Sequence, residues 1–321
     1  MRNIFYDRGW FKSVSFEIPV ISVGNLSTGG TGKTPMIEYL VRLLQKDIGV
    51  AVLSRGYGRK TSGFLIADES VDAKMIGDEP YQFFSKFENI QVAVDEDRVH
   101  GVSMLLKAPE PPEVVLLDDA FQHRRIRAGL SILLTTYEKP YSDALVLPAG
   151  DLREPRSGAK RADVIVVTKC PDTLKEGERK RILNRLNARS GQEVFFTGIK
   201  YASHAMGKED RISMKELVSY HVLLVTGIAN PAPLLKELSN EGVAFKHIRF
   251  GDHHNLTGQE QARIQKELEE LPGESKVVIT TEKDYVRNFE TVELPVYYLP
   301  IETRFLDGEN QFNQIIYDYV R

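Results

Sequence analysis

Residues 27–34 read Ser-Thr-Gly-Gly-Thr-Gly-Lys-Thr, directly after the apolar run Pro19–Val23 and directly before the helical pattern Pro35–Gln45. Strand, glycine-rich turn and helix in that order constrain this chain more than any other feature it carries. Glycines let backbone N–H groups curl toward an anion, and the following helix adds the positive end of its dipole. In such a cradle Thr28, Gly29, Gly30, Thr31 and Gly32 wrap the phosphates. Lys33 would reach the β- and γ-phosphates, and the Thr34 hydroxyl would ligate Mg²⁺. Ser27 replaces the first glycine of the usual G-x-x-x-x-G-K-[ST] pattern. A plain surface turn needs no strand before it and no helix after it, so the segment reads as a nucleoside triphosphate site.

The surrounding pattern fits that reading. At 321 residues the chain is long enough for about two domains with separate cores. Short branched runs at Val20–Val23, Val50–Leu53, Gln91–Val94, Val114–Leu117, Ser131–Leu134 and Val164–Thr168 read as strands. Helical segments fall between several of them, at Pro35–Gln45, Glu79–Lys86 and Arg98–Leu106. Such alternation predicts an α/β fold of the P-loop NTPase type, a mainly parallel sheet with helices on both faces. A charged helix is expected over Thr173–Arg189, and a second α/β pattern starts at Val222–Val225. Two domains are therefore expected, residues 1–210 for nucleotide binding and catalysis and residues 211–321 as a smaller α/β domain closing the substrate cleft.

Ligands of parallel sheets gather at the carboxyl ends of the strands, and the chemistry-bearing residues lie there. Asp118 and Asp119 close the run Val114–Leu117, the usual place for a second Mg²⁺ anchor, and spacing does not separate their roles. Asp78, in Gly-Asp-Glu-Pro, is on local sequence a helix cap, with a general base as the alternative. Basic residues follow several strands: Arg55, Arg59 and Lys60, then Arg98, then His123 and Arg124, then Arg153 and Arg156. Their position suggests an anionic substrate beyond the nucleotide. His253 and His254 are adjacent on a loop, which does not suit a shared zinc. A structural histidine is the plain reading, and one reaching across a cleft is the sharper one.

A net charge of −3 lacks the basic excess of a general nucleic-acid binder. The single cysteine, Cys170, excludes an internal disulfide and fits a reducing compartment. No run reaches the 18 or so apolar residues of a spanning helix. Residues 1–12 mix cations with Ile4, Phe5, Trp10 and Phe11, which suits an interfacial anchor and equally a segment packed on the domain.

Taken together, these segments resemble one family, the tetraacyldisaccharide 4'-kinases of lipid A biosynthesis. The resemblance rests on residues 18–35, Leu53–Lys60, Gly77–Pro80, Asp97-Arg98, Leu117–His123, Leu147–Pro155, Gly227–Pro231, Asp252-His253 and Thr281–Asp284, in the family's order over nearly the whole chain. It implies an ATP- and Mg²⁺-dependent kinase that phosphorylates the 4'-hydroxyl of a tetraacylated glucosamine disaccharide 1-phosphate. It implies peripheral attachment to the cytoplasmic side of the inner membrane, with no nucleic acid and no obligate protein partner. By the same resemblance Lys33 and Thr34 keep their phosphate-loop roles, with Asp119 the acidic partner and Glu154 a second group near the metal. Asp78 becomes the catalytic base, which replaces the capping reading, and His253 its orienting partner. Arg98, His123 and Arg153 fall near substrate or the transferred phosphoryl group. Two departures stand out. Ala120 replaces the family's usual glycine, and residues 1–12 match only the end of its usual hydrophobic N-terminal helix, which weakens the expectation of membrane attachment. A partitioning ATPase with a similar loop is the alternative, although Thr28 stands where such proteins usually carry lysine.

Overall fold

A computed structural model describes residues 2–290 and 292–321. The strands are β1 (Val20–Asn25), β2 (Val50–Ser54), β3 (Leu65–Ile66), β4 (Ile90–Val94), β5 (Val114–Asp118), β6 (Leu130–Thr136), β7 (Val164–Thr168) and β8 (Glu193–Tyr201). Then come β9 (His204–Met206), β10 (Arg211–Ser213), β11 (His221–Thr226), β12 (Phe245–Arg249), β13 (Lys276–Thr280), β14 (Val296–Tyr298) and β15 (Ile301–Phe305). They form a nine-stranded sheet, ordered β15-β8-β7-β6-β1-β5-β2-β4-β3, and a six-stranded sheet, ordered β10-β9-β14-β13-β11-β12.

The large sheet is parallel from β4 through β8, with β3 antiparallel at one edge. Every residue of β1, β2, β5 and β7 is buried. Period-two alternation sends Val114 and Leu116 to one face and Val115 and Leu117 to the other; Val50/Val52 and Ala51/Leu53 divide in the same way. Burial on both faces is what a parallel sheet with helical crossovers requires. One face is covered by the helix Lys33–Leu44, whose Met36, Ile37, Leu40, Val41 and Leu44 recur at helical spacing and are buried.

β1 lies between β5 and β6, with Val23 opposite Asp118 on one side and Ile132 on the other. The glycine-rich turn after β1 and the aspartates ending β5 are thereby set side by side at the carboxyl edge.

The chain divides into two compact units, residues 1–200 with 302–321, and residues 201–301. This differs from the division expected at residue 210 in two ways. The smaller unit begins at Tyr201, and the C-terminal segment returns to the larger one. There β15 joins the large sheet beside β8, and the helix Glu309–Val320 buries Phe312 and Ile316 in the same core as Phe195 and Phe305. The helix expected over 173–189 is shorter, Glu176–Leu186, and Phe195-Phe196 lies within β8. In the smaller unit β11, β12, β13 and β14 run parallel, and β9 and β10 add an antiparallel edge.

Candidate active site

The turn after β1 ends on Gly32, which caps the helix Lys33–Leu44 with φ 88°, a left-handed conformation that glycine adopts without strain. This conformation lets the chain turn sharply from strand to helix, leaving the first helical amides with no acceptor inside the helix. Such amides are ready donors for phosphate oxygens. Thr31 is buried and its hydroxyl makes no protein hydrogen bond among the described residues.

Acidic groups crowd beside this cradle. Asp118 is fully buried and accepts a hydrogen bond from the Ser54 hydroxyl at 2.7 Å through Oδ2; its Oδ1 has no partner among the described residues. Burial first, then the nearby Glu79 carboxylate, push the Asp118 carboxyl up to about 6; Asp119 adds to this, whereas Ser54 and Lys33 oppose it. Glu79 also meets the Thr34 hydroxyl, at 3.5 Å. Asp119, by contrast, is balanced by cations. Its carboxylate takes Arg153 Nη1 at 2.9 and 3.1 Å and has Lys33 Nζ at 3.7 Å. Its backbone is left-handed, φ 46°, which is uncommon for a residue other than glycine and turns the chain away after β5.

The donor set fits Mg²⁺. A hydroxyl and a buried carboxylate with an orphaned oxygen are hard ligands of the kind Mg²⁺ takes. Among the described residues, no three acidic or imidazole groups by themselves form a cage for a cation. Mg²⁺ at nucleotide sites seldom needs one, because phosphate oxygens and waters complete its shell.

The other expected residues fall into distinct places. Arg98 opens a helix at Arg98–Leu105 and is 3% exposed. Its Nη2 donates to the Asp119 carbonyl at 3.4 Å and its Nη1 to the Glu96 carbonyl at 3.2 Å. His123 Nε2 stands 3.6 Å from Asp97; burial and the Arg98 charge pull its pKa down, which favours neutral imidazole. Glu154 is 4% exposed and accepts from Asn3 at 2.7 Å, Gln122 at 3.0 Å and Arg161 at 2.8 Å. These contacts tie it to the N-terminal segment and the loop after β5, whereas Thr34, Glu79, Asp118 and Ser54 form a separate set.

Asp78 is the first residue of the helix Asp78–Lys86, and Gly77 occupies the capping position ahead of it. Gly77 has φ 96°, and a Cβ there would stand 2.9 Å from the Tyr57 carbonyl oxygen. The loop after β2 thus packs directly under the turn that carries Asp78 and Glu79.

In the smaller unit, His253 is left-handed, φ 57°, and its N–H donates to the Gly227 carbonyl at 3.1 Å. Arg287 Nη2 lies 3.0 Å from His253 Nδ1. Guanidinium can only donate, so Nδ1 accepts and the ring proton of the neutral form sits on Nε2. His254 turns elsewhere, stacked on Phe250 with Nε2 against Glu260, so the two histidines do not converge. Asp284 accepts from the Gly227 amide at 2.9 Å and the Thr281 hydroxyl at 2.7 Å, joining two motif segments that are far apart in sequence.

The signature of the family described as tetraacyldisaccharide-1-P 4'-kinase matches residues 1–321. The chain belongs to that family. A tetraacyldisaccharide 4'-kinase of Flavobacterium johnsoniae is 46% identical over all of this chain and 93% of its own length. One from Phocaeicola vulgatus is 44% identical over all of this chain and 91% of its own. A crystal structure of LpxK from Aquifex aeolicus in complex with ATP superposes with TM-score 0.79 at 30% identity, covering all of this chain and 94% of that one. Family membership also decides against the partitioning ATPase. Glu79 and Thr168 are site neighbours to which the sequence reading gave no role, although Glu79 stands within Gly-Asp-Glu-Pro. Ser54 lies within the stretch Leu53–Lys60, and Arg161 is one of the basic residues that follow Gly150.

Proposed function

We propose that the protein transfers the γ-phosphate of ATP to the 4'-hydroxyl of a tetraacylated glucosamine disaccharide 1-phosphate. The observation that carries this reading is the pairing of a Gly32-capped phosphate cradle with the buried Asp118, whose Oδ1 has no hydrogen-bond partner among the described residues, in a chain that belongs to the 4'-kinase family throughout its length. Phosphoryl transfer asks a protein mainly for positioning and charge neutralisation. Lys33 and the loop amides would hold the triphosphate, while Thr34 and Asp118, with Glu79 adjoining, would hold Mg²⁺. The metal would neutralise charge on the phosphate oxygens. Arg98 and Arg153 would meet anionic groups of donor or acceptor. Asp78 would accept the proton of the attacking hydroxyl in this scheme, and the family resemblance gives His253 a supporting catalytic role.

The acceptor is a lipid, and exposed apolar side chains give a bilayer a surface to meet. No helix among the described residues is long and apolar enough to cross a membrane. Ile4, Trp10 and Phe11 are 46–63% exposed, and Arg8 lies over the Trp10 ring. Leu145 and Leu147 are exposed on the segment ahead of Arg153. Apolar side chains framed by cations suit peripheral binding at the cytoplasmic face of the inner membrane.

Incubation with γ-labelled ATP, Mg²⁺ and the 1-phosphorylated glycolipid tests the reading. Label should move to the lipid, and nucleotide turnover should depend on the acceptor. Equal ATP hydrolysis with and without the lipid would overturn it.

A further inference from the structure

The carboxyl end of β7 reaches over the phosphate loop through two consecutive side chains. The Thr168 hydroxyl lies 2.7 Å from the Thr31 carbonyl oxygen and 3.2 Å from that of Thr135. Lys169 Nζ donates to the Gly30 carbonyl at 2.6 Å. Thr168 is buried, and its side chain is the nearest group to the space a Cβ on Gly32 would fill, at 3.7 Å. Lys169 is left-handed, φ 57°, an uncommon state for a non-glycine residue and one that brings its stem back over the loop. The strand end is itself fixed: the Tyr137 amide donates to the Thr168 carbonyl at 2.9 Å, and the Cys170 amide to the Thr197 carbonyl at 2.9 Å.

A trans peptide is planar, with its C=O and the next N–H pointing opposite ways. Holding the carbonyls of Gly30 and Thr31 toward β7 therefore turns the amides of Thr31 and Gly32 away from β7. The geometry points to Thr168 and Lys169 as positioning residues that preset two phosphate-binding amides of the loop before nucleotide arrives. Neither residue acts on the reacting atoms. Their effect is to remove the conformational search that a glycine-rich loop would otherwise make on binding, which is the general route by which preorganisation raises affinity. The inference rests on the loop being the ATP site.

Affinity for ATP and ADP is measured by isothermal titration with the full chain, and KM for the glycolipid by turnover. Wild-type protein must bind nucleotide; if it does not, the proposed function fails before this inference is reached. Lys169→Met keeps the stem and loses the donor, and Thr168→Val keeps the shape and loses the hydroxyl. Each should weaken both nucleotides about three- to tenfold, the effect of one hydrogen bond, with the glycolipid KM unchanged. Lys169→Arg and Thr168→Ser, which retain donors, should restore affinity to within about twofold of wild type. Wild-type nucleotide affinity in Thr168→Val would overturn the inference, since Lys169 would then act by direct charge alone. Parallel loss of nucleotide and glycolipid binding in both variants would also overturn it, as general destabilisation.

Discussion

Replacing Asp118 with asparagine should stabilise the nucleotide-free protein at about pH 8 while abolishing turnover. The carboxyl is fully buried, and its pKa stands at about 6 against an ordinary value of 3.8. At about 1.4 kcal/mol per tenfold change in acidity, keeping it ionised at neutral pH costs the fold roughly 3 kcal/mol. The sign follows from proton uptake. The folded state binds this proton more tightly than the unfolded state, so the group's favourable contribution is complete below about pH 4 and is lost as pH rises through about 6. Asparagine keeps an oxygen for the Ser54 hydroxyl and has no charge to bury. Urea unfolding of both proteins between about pH 4 and pH 8 reads the group together with its neighbours Glu79 and Asp119, because the carboxylates that do not face Asp118 cancel in the difference. The variant should gain up to about 3 kcal/mol on wild type across that range. Mg²⁺ with ATP should raise the melting temperature of wild type more than that of the variant, which keeps Lys33 and the loop amides for the triphosphate but loses a metal ligand. Parallel stability profiles, with the variant lower at both ends, would refute the argument that burying an ionised Asp118 costs the fold stability.

Lys33→Met should weaken ATP binding and lower turnover together, each by about tenfold or more, as read by titration and steady-state kinetics. Asp78→Ala should leave ATP affinity near wild type and cut single-turnover transfer by roughly 10²–10⁴; near-full turnover would remove it from the base role. Phe312→Ala should cost about 3–5 kcal/mol, and hydrogen exchange should locate the loss in residues 1–200 and 302–321, since Phe312 is fully buried in that unit's core. Trp10 is the single tryptophan and is 63% exposed, so its emission should shift to the blue on adding anionic vesicles. An unchanged spectrum would count against N-terminal contact with lipid.

What could be read from the chain was local in origin. The phosphate loop announces itself because glycine spacing, an apolar strand and a helix all fall within about 25 residues, and Asp118 because it ends a buried run. The fate of residues 302–321 was not legible. β15 reads like one more strand of the second α/β pattern, and only its place beside β8, a hundred residues earlier, returns it to the first unit. The role of Glu79 beside Thr34 was not legible for a similar reason. Its approach to Thr34 depends on the loop at Tyr57 packing beneath Gly77, a contact that no periodicity records. Glu154 stands in a recognisable motif, yet its partners come from Asn3, Gln122 and Arg161, three segments with no common pattern.

The most direct measurement is the phosphorus NMR spectrum of the lipid product formed with ATP and Mg²⁺. A new phosphomonoester resonance coupled to the proton on carbon 4' of the distal glucosamine, beside the original 1-phosphate signal, is the predicted result. Inorganic phosphate with an unaltered lipid, or a phosphate on any other carbon, would contradict the account.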